Sequence, residues 1–123
     1  MEPKTLSEKI RKAREFTKEV GGHSFTLRRP TEVEWFETVA TRPDGSNAST
    51  ARFLPFIIGW SNVIESDVLN GGDPHPLSFS ESVRDEWLAD RSDLFGPLIT
   101  ALMDEFVAYN EKRQALTKNS TPG

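Results

Sequence analysis

Phe53-Leu54-Pro55-Phe56-Ile57-Ile58-Gly59-Trp60-Ser61-Asn62-Val63-Ile64 is the most apolar run of the chain, and its reading decides the fold. Eight of its twelve residues are Phe, Leu, Ile, Val or Trp, and no charge falls between Arg52 and Glu65. Phe53, Phe56, Ile57, Trp60 and Ile64 recur at the i, i+3, i+4, i+7 and i+11 spacing of one helical face. Leu54, Ile58 and Val63 fill much of the remaining circumference, so such a helix is covered on more than one side. About 20 apolar residues are needed to cross a bilayer, so this stretch reads as a central buried helix, 53–64, and no membrane contact is expected.

Working outward, residues 1–30 carry a basic excess, with eight Lys/Arg against four Glu. Residues 31–123 carry seven Lys/Arg against fifteen Asp/Glu. A basic first quarter on an acidic body suits either an acidic partner or self-association between opposite faces, and also an ordinary solvated helix surface. Thr5 and Glu8 match a capping box. Leu6, Ile10, Ala13, Phe16 and Val20 then form a narrow apolar stripe, and Gly21-Gly22 reads as the helix stop. The expected first helix therefore runs from Thr5 to Val20. Phe25 and Leu27 alternate with polar neighbours, as in a short strand over 24–28, and its expected mate is 76–79, where Leu77 and Phe79 alternate likewise.

A second capping box, Thr31 with Glu34, opens a helix whose inward stripe is expected to be Val33, Phe36 and Ala40, with Trp35 and Val39 beside it. Residues 43–49 read as a polar loop, and Pro55 predicts a kink or a late helix start. Residues 68–76 carry loop chemistry, with Gly71-Gly72 and two prolines. Ser80 caps a short helix bearing Val83, Trp87 and Leu88, and Asp93 is the expected N-cap of the last helix. Phe95, Leu98, Ile99, Leu102, Met103 and Phe106 form its buried stripe. The fold class expected is mainly α: about five helices around 53–64, with at most a two-stranded β piece (24–28 with 76–79). One domain is expected over residues 1–116, followed by a disordered tail over 117–123.

Signals of chemistry are sparse. The chain has no Cys, hence no thiol nucleophile and no thiolate metal site. His23 stands beside Gly-Gly and His75 lies between prolines, and neither has a ligand at helical spacing. Gly71-Gly72-Asp73 lacks the Lys-Ser/Thr of a phosphate loop. Asp67, Asn70 and Asp73 do not have the alternate spacing of a calcium loop. Glu65 and Asp67 read as a solvated helix end. No cofactor, no metal and no catalytic residue is expected. The acidic body, with a pI of about 5.2, and second helices that are apolar or acidic speak against nucleic acid. What remains is contact with protein, for which Trp35 and Trp87 are the candidate anchors and core packing the alternative for both, with Trp60 in the core.

Several stretches together carry a resemblance. They are Phe25-Thr26-Leu27-Arg28-Arg29-Pro30-Thr31-Glu32; Phe56, Gly59, Trp60, Val63, Glu65 and Asp67; Leu77-x-Phe79-Ser80; and Trp87-Leu88-Ala89-Asp90-Arg91 with Asp93, Leu94, Pro97 and Leu98. Over about residues 23–100 the chain resembles the tail assembly chaperones of long-tailed bacteriophages and prophages. The resemblance implies a mainly helical, self-associating, non-enzymatic protein that coats the tape measure protein and brings tail tube subunits to it. It also implies residence in the cytoplasm of a bacterial host and absence from the mature virion. Members of that family are often made in a longer, frameshifted form, and the polar stretch Leu116-Thr117-Lys118-Asn119 suits the short one. With that partner, Arg28, Arg29, Trp35 and Trp87 are the expected contact residues. The alternative is a small mobile-element regulator, an antitoxin or host-takeover factor, that binds one protein target.

Overall fold

A computed structural model describes residues 2–39 and 50–120, with the side chains of 38, 39 and 117–120 left aside. Its elements are α1 (Pro3–Lys12), β1 (Glu15–Val20), β2 (His23–Arg28), α2 (Glu32–Val39), a 3-10 helix (Thr50–Phe56), β3 (Ile57–Ser61), α3 (Glu65–Val68), α4 (Glu81–Ala89) and α5 (Ser92–Ser120). The fold is mixed α/β, with a three-stranded antiparallel sheet among the described residues, and not the mainly helical bundle expected from the sequence.

The correction begins at the opening stretch. Residues 53–64 are not one helix: the 3-10 helix ends at Phe56 and Ile57 starts a strand. β3 pairs with β2 through Phe25 opposite Trp60, Thr26 opposite Gly59 and Leu27 opposite Ile57, with a register shift between Thr26 and Leu27. Ile58 is the extra residue of this bulge, so Ile57 and Trp60 both lie on the face of Leu27 and Phe25. A spacing of three, which signals a helix in a regular chain, is here produced by a bulged strand. Pro55, expected to kink a helix, stands in the 3-10 helix just before the strand.

The first expected helix is also two elements. α1 starts at Pro3 with Glu2 as its N-cap and no side-chain cap, so the Thr5–Glu8 box is not used, and it ends at Lys12. Phe16-Thr17-Lys18-Glu19-Val20 belongs to β1, paired with β2 from Glu15–Arg28 to Val20–His23. Gly21 and Gly22 take φ of +60° and +83°. They form the two-residue hairpin turn whose two positive φ values suit the twist of the strands. β2 is thus the middle strand, its mates are β1 and β3, and 76–79 is not one of them. That segment touches the sheet's neighbour instead, through an Ile64–Pro76 bridge and a Leu77 amide donating to Val63 O at 2.8 Å.

α4 and α5 cover the inner face of the sheet. Phe25, Leu27, Ile57, Leu88, Leu94, Leu98 and Leu102 are fully buried, joined by Phe53, Phe56, Val63 and Trp87. The expected α5 stripe is present except for Met103, which is 41% exposed. α5 starts at Ser92, one residue before the expected cap Asp93, and runs to Ser120, into the stretch expected to be a tail. The Ser80 cap is in place, its Oγ accepting from Val83 N at 3.3 Å. Ala40 and the polar loop at 43–49 lie outside the described residues, as do 121–123.

Candidate functional site

The end of β2 at Arg28 is a dense polar and aromatic junction. The Thr31–Glu34 capping box forms in full: Glu34 N donates to Thr31 Oγ1 at 3.1 Å and Thr31 N to Glu34 Oε1 at 3.0 Å. Glu34 also accepts two bonds from the Arg28 guanidinium, at 2.7 and 3.0 Å, in the planar fork geometry that favours arginine. Those Arg28 bonds, aided by the Thr31 amide, hold the Glu34 carboxyl at about 2, well below its ordinary 4.5, even though partial burial opposes the shift. The Arg28 guanidinium lies over the Phe56 ring at 4.8 Å.

Arg29 turns the other way. Its guanidinium sits 3.6 Å from the centre of the Tyr109 ring on α5 and donates to Pro30 O at 2.9 Å. Burial lowers its pKa from the ordinary arginine value. Trp35 stacks flat on Phe106, with ring centres 4.3 Å apart and 6° between planes, and Arg113 of α5 pairs with Glu32 at 2.6 Å. Three of the four expected contact residues, Arg28, Arg29 and Trp35, are therefore brought to one place, where they fasten α2 and α5 to the sheet.

The apolar face of α2 is turned around relative to expectation. Val33 and Phe36, expected inward, are each 69% exposed, because Trp35 takes the position against α5. The helix presents an aliphatic and an aromatic side chain one turn apart to solvent, bordered on the Val33 side by Arg14, Arg29, Glu32 and Tyr109. Met103 and Val107 of α5 are also exposed. Sequence periodicity marked Val33 and Phe36 as apolar but could not tell which of two adjacent stripes faces the core.

Trp87, the fourth expected contact residue, lies elsewhere and is 5% exposed. Its ring meets His23, Trp60 and Phe25 with centres 5.4, 5.7 and 6.1 Å away. Its indole Nε1 is buried without a hydrogen-bond partner among the described residues. One edge of Trp87 joins Val68 and Val83 in the floor of a surface groove of about 530 Å³, whose rim holds Asp67, Glu86 and Asp90. Arg91, also on the rim, is committed to Asp93 through two 2.9 Å bonds that raise its pKa and lower that of the carboxylate.

His23 Nδ1 bonds Asn62 O at 2.7 Å and stands 3.9 Å from Asp67 Oδ2. That oxygen accepts from Ile64 N at 2.9 Å, so Asp67 works as a helix cap. His75 contributes its backbone, with its carbonyl accepting from Glu65 N. Among the described residues no group of three or more His, Cys, Asp or Glu is placed to hold a metal ion. No described helix is long and apolar enough to cross a membrane.

Arg84 is the polar residue that sequence reasoning missed. It is 6% exposed, donates from Nη1 to Ile57 O at 3.1 Å and from Nε to Asp85 at 2.8 Å, and so ties α4 to the start of β3. The only signal for it was its place one turn before Leu88 on the inward face of α4.

The chain matches no family model, no curated protein and no solved structure.

Proposed function

We propose that this protein is a non-enzymatic tail assembly chaperone of a long-tailed bacteriophage or prophage. It binds the tape measure protein and recruits tail tube subunits to it, in the cytoplasm of the bacterial host and without entering the finished virion. The reading rests on the sequence resemblance over about residues 23–100. The structural observation that supports it is the outward pair Val33 and Phe36, each 69% exposed on α2. A helical partner recognised through apolar residues one turn apart needs such a pair on a helix fixed from behind. Here Trp35 on Phe106 and Glu34 on Arg28 do the fixing. Arg28, Arg29 and Trp35 thus serve the contact by holding α2 in place, while Val33 and Phe36 meet the partner.

The test is affinity capture of the tape measure protein encoded in the same genome, co-expressed with this chain. Capture is expected with the wild type and is expected to drop at least about tenfold with Val33→Ser/Phe36→Ser, as for loss of an interface anchor. The folded state of that variant should be unchanged by circular dichroism. No capture by a folded wild type, or full capture by the double variant, would remove the reading or its surface respectively.

A further inference from the structure

α1 is an amphipathic helix whose apolar face is left largely open, although Ile10 also borders a shallow groove shared with Ala108 and Tyr109 of α5. None of its residues is buried, and Leu6 and Ile10, one turn apart, are each 48% exposed. Lys4, Lys9, Arg11 and Lys12 surround that stripe, against Glu8 alone within the helix. A helix of ten residues with this charge and no buried residue gains little from the rest of its own chain.

The complementary surface exists on the same molecule. The α3–α4 groove has an apolar floor of Val68, Val83 and Trp87 and an acidic rim of Asp67, Glu86 and Asp90. Arg91, the rim's cation, is already neutralised by Asp93. Glu86 and Asp90 form no ion pair among the described residues. The space of about 530 Å³ takes the Leu6 and Ile10 side chains together.

α1 cannot fill the groove of its own chain. It enters the sheet through a two-residue turn, with Arg14 O accepting from Arg29 N at 2.8 Å and Glu15 opposite Arg28. The groove lies at the other end of β2, where Trp87 and Asp67 flank His23. The six residues of the strand separate the two by roughly 20 Å.

We infer that α1 of one copy seats Leu6 and Ile10 on the Val68–Val83–Trp87 floor of a second copy, with Lys9 and Lys12 facing Glu86 and Asp90. The surfaces that meet are different, so the contact is head-to-tail and builds chains or closed rings. It also explains the opposite charge of the first quarter and the body: each copy offers one basic helix and one acidic groove. The contact stands independently of the chaperone reading, since it uses neither Val33 nor Phe36.

Charge exchange tests it on the full chain, by light scattering after size exclusion over a series of concentrations. The wild type is expected to exceed its 13.8 kDa monomer mass as concentration rises. It should dissociate near 1 M salt, where the screening length falls to about 3 Å. Lys9→Glu/Lys12→Glu and Glu86→Lys/Asp90→Lys change exposed side chains, so both variants should keep the wild-type circular dichroism. Each alone is expected to stay at the monomer mass, because its helix and groove now carry like charge. An equimolar mixture of the two should associate again, since each reversed surface meets its opposite on the other variant. A wild type that is monomeric at every concentration in low salt overturns the inference. So does association that survives either reversal, or a mixture that stays monomeric.

Discussion

The two ends of β2 are held by different physics. At the His23 end, Phe25 is fully buried and packs with His23 edge to face and with Trp87 in a tilted contact, and Trp60 meets Trp87 edge to face. The polar handles there are short bonds to backbone carbonyls, from His23 to Asn62 and from Trp60 Nε1 to Leu77 at 2.8 Å. At the Arg28 end the attachments are an Arg–Glu fork, an arginine over Tyr109 and one indole stacked on Phe106. Burial of apolar rings dominates the first end, whereas the second depends on charges that are partly open to solvent. The exposed apolar pairs of α1 (Leu6, Ile10) and α2 (Val33, Phe36) both hang from the second end. The projecting helices belong to the charged end of the strand, and the acidic groove lies against the buried aromatic end.

The largest effect should therefore come from the aromatic end. Phe25→Ala removes a fully buried ring that packs on His23 and Trp87 and should cost about 3–5 kcal/mol in chemical denaturation. If it cost no more than Arg28→Ala, the contrast between the two ends would collapse. The hairpin turn beside it comes next. Gly21 has φ +60°, and a Cβ there would lie 2.8 Å from Cδ2 of the buried Leu94. Gly22 has φ +83° with open space around it. Gly22→Ala should cost about 1 kcal/mol for the left-handed backbone alone, and Gly21→Ala about 2 kcal/mol or more. Equal losses at the two positions would show that Leu94 gives way and that this end is looser than its packing suggests.

How the sequence signals its fold differs between the same regions. The α5 stripe, the Ser80 cap, the Thr31–Glu34 box and the Phe25/Leu27 alternation were all legible, because each depends on neighbours within a turn or a strand. The switches from helix to strand were not. Phe16 and Val20 continue the helical spacing of Leu6 and Ile10, and Gly21-Gly22 serves a helix stop as readily as a hairpin turn. Only pairing with β2, a tertiary gain, decides for the strand. In β3 the bulge at Ile58 placed Ile57 and Trp60 on one face with a spacing of three, which imitates a helix outright. At the candidate site, Arg28, Arg29 and Trp35 were singled out from the sequence, and the structure brings the three together at the end of β2. Which side chains turn outward depended on Trp35 outcompeting Val33 and Phe36 for the place against α5.

The Arg28 end can be loosened by acid, and the sign is fixed by the direction of the Glu34 shift. Its folded pKa of about 2 lies below the ordinary 4.5, so the stability it contributes is fully present above pH 4.5 and is lost as pH falls from there toward 2. Since the Arg28–Glu34 pair is partly open to solvent, that contribution is about 1 kcal/mol. Glu34→Gln should remove this part of the acid sensitivity and leave the curve above neutrality parallel to the wild type. Hydrogen exchange in the same window should speed up in α2 before it does in β2. Protection lost first around Phe25 would reverse the ranking of the two ends.

The smallest effect is expected at α1. Leu6→Ser and Ile10→Ser would be costly in a helix docked on its own core, at about 2 kcal/mol or more each. Here both side chains are half exposed and no residue of the helix is buried, so each change should alter monomer stability by less than about 0.5 kcal/mol. The measurement must be made at high salt and low protein concentration, so that self-association does not add to apparent stability. A loss of kilocalories under those conditions would mean that α1 packs on its own chain and would place it with the rigid end. A negligible loss that becomes large at high concentration would identify the apolar stripe of α1 as a surface used only between molecules.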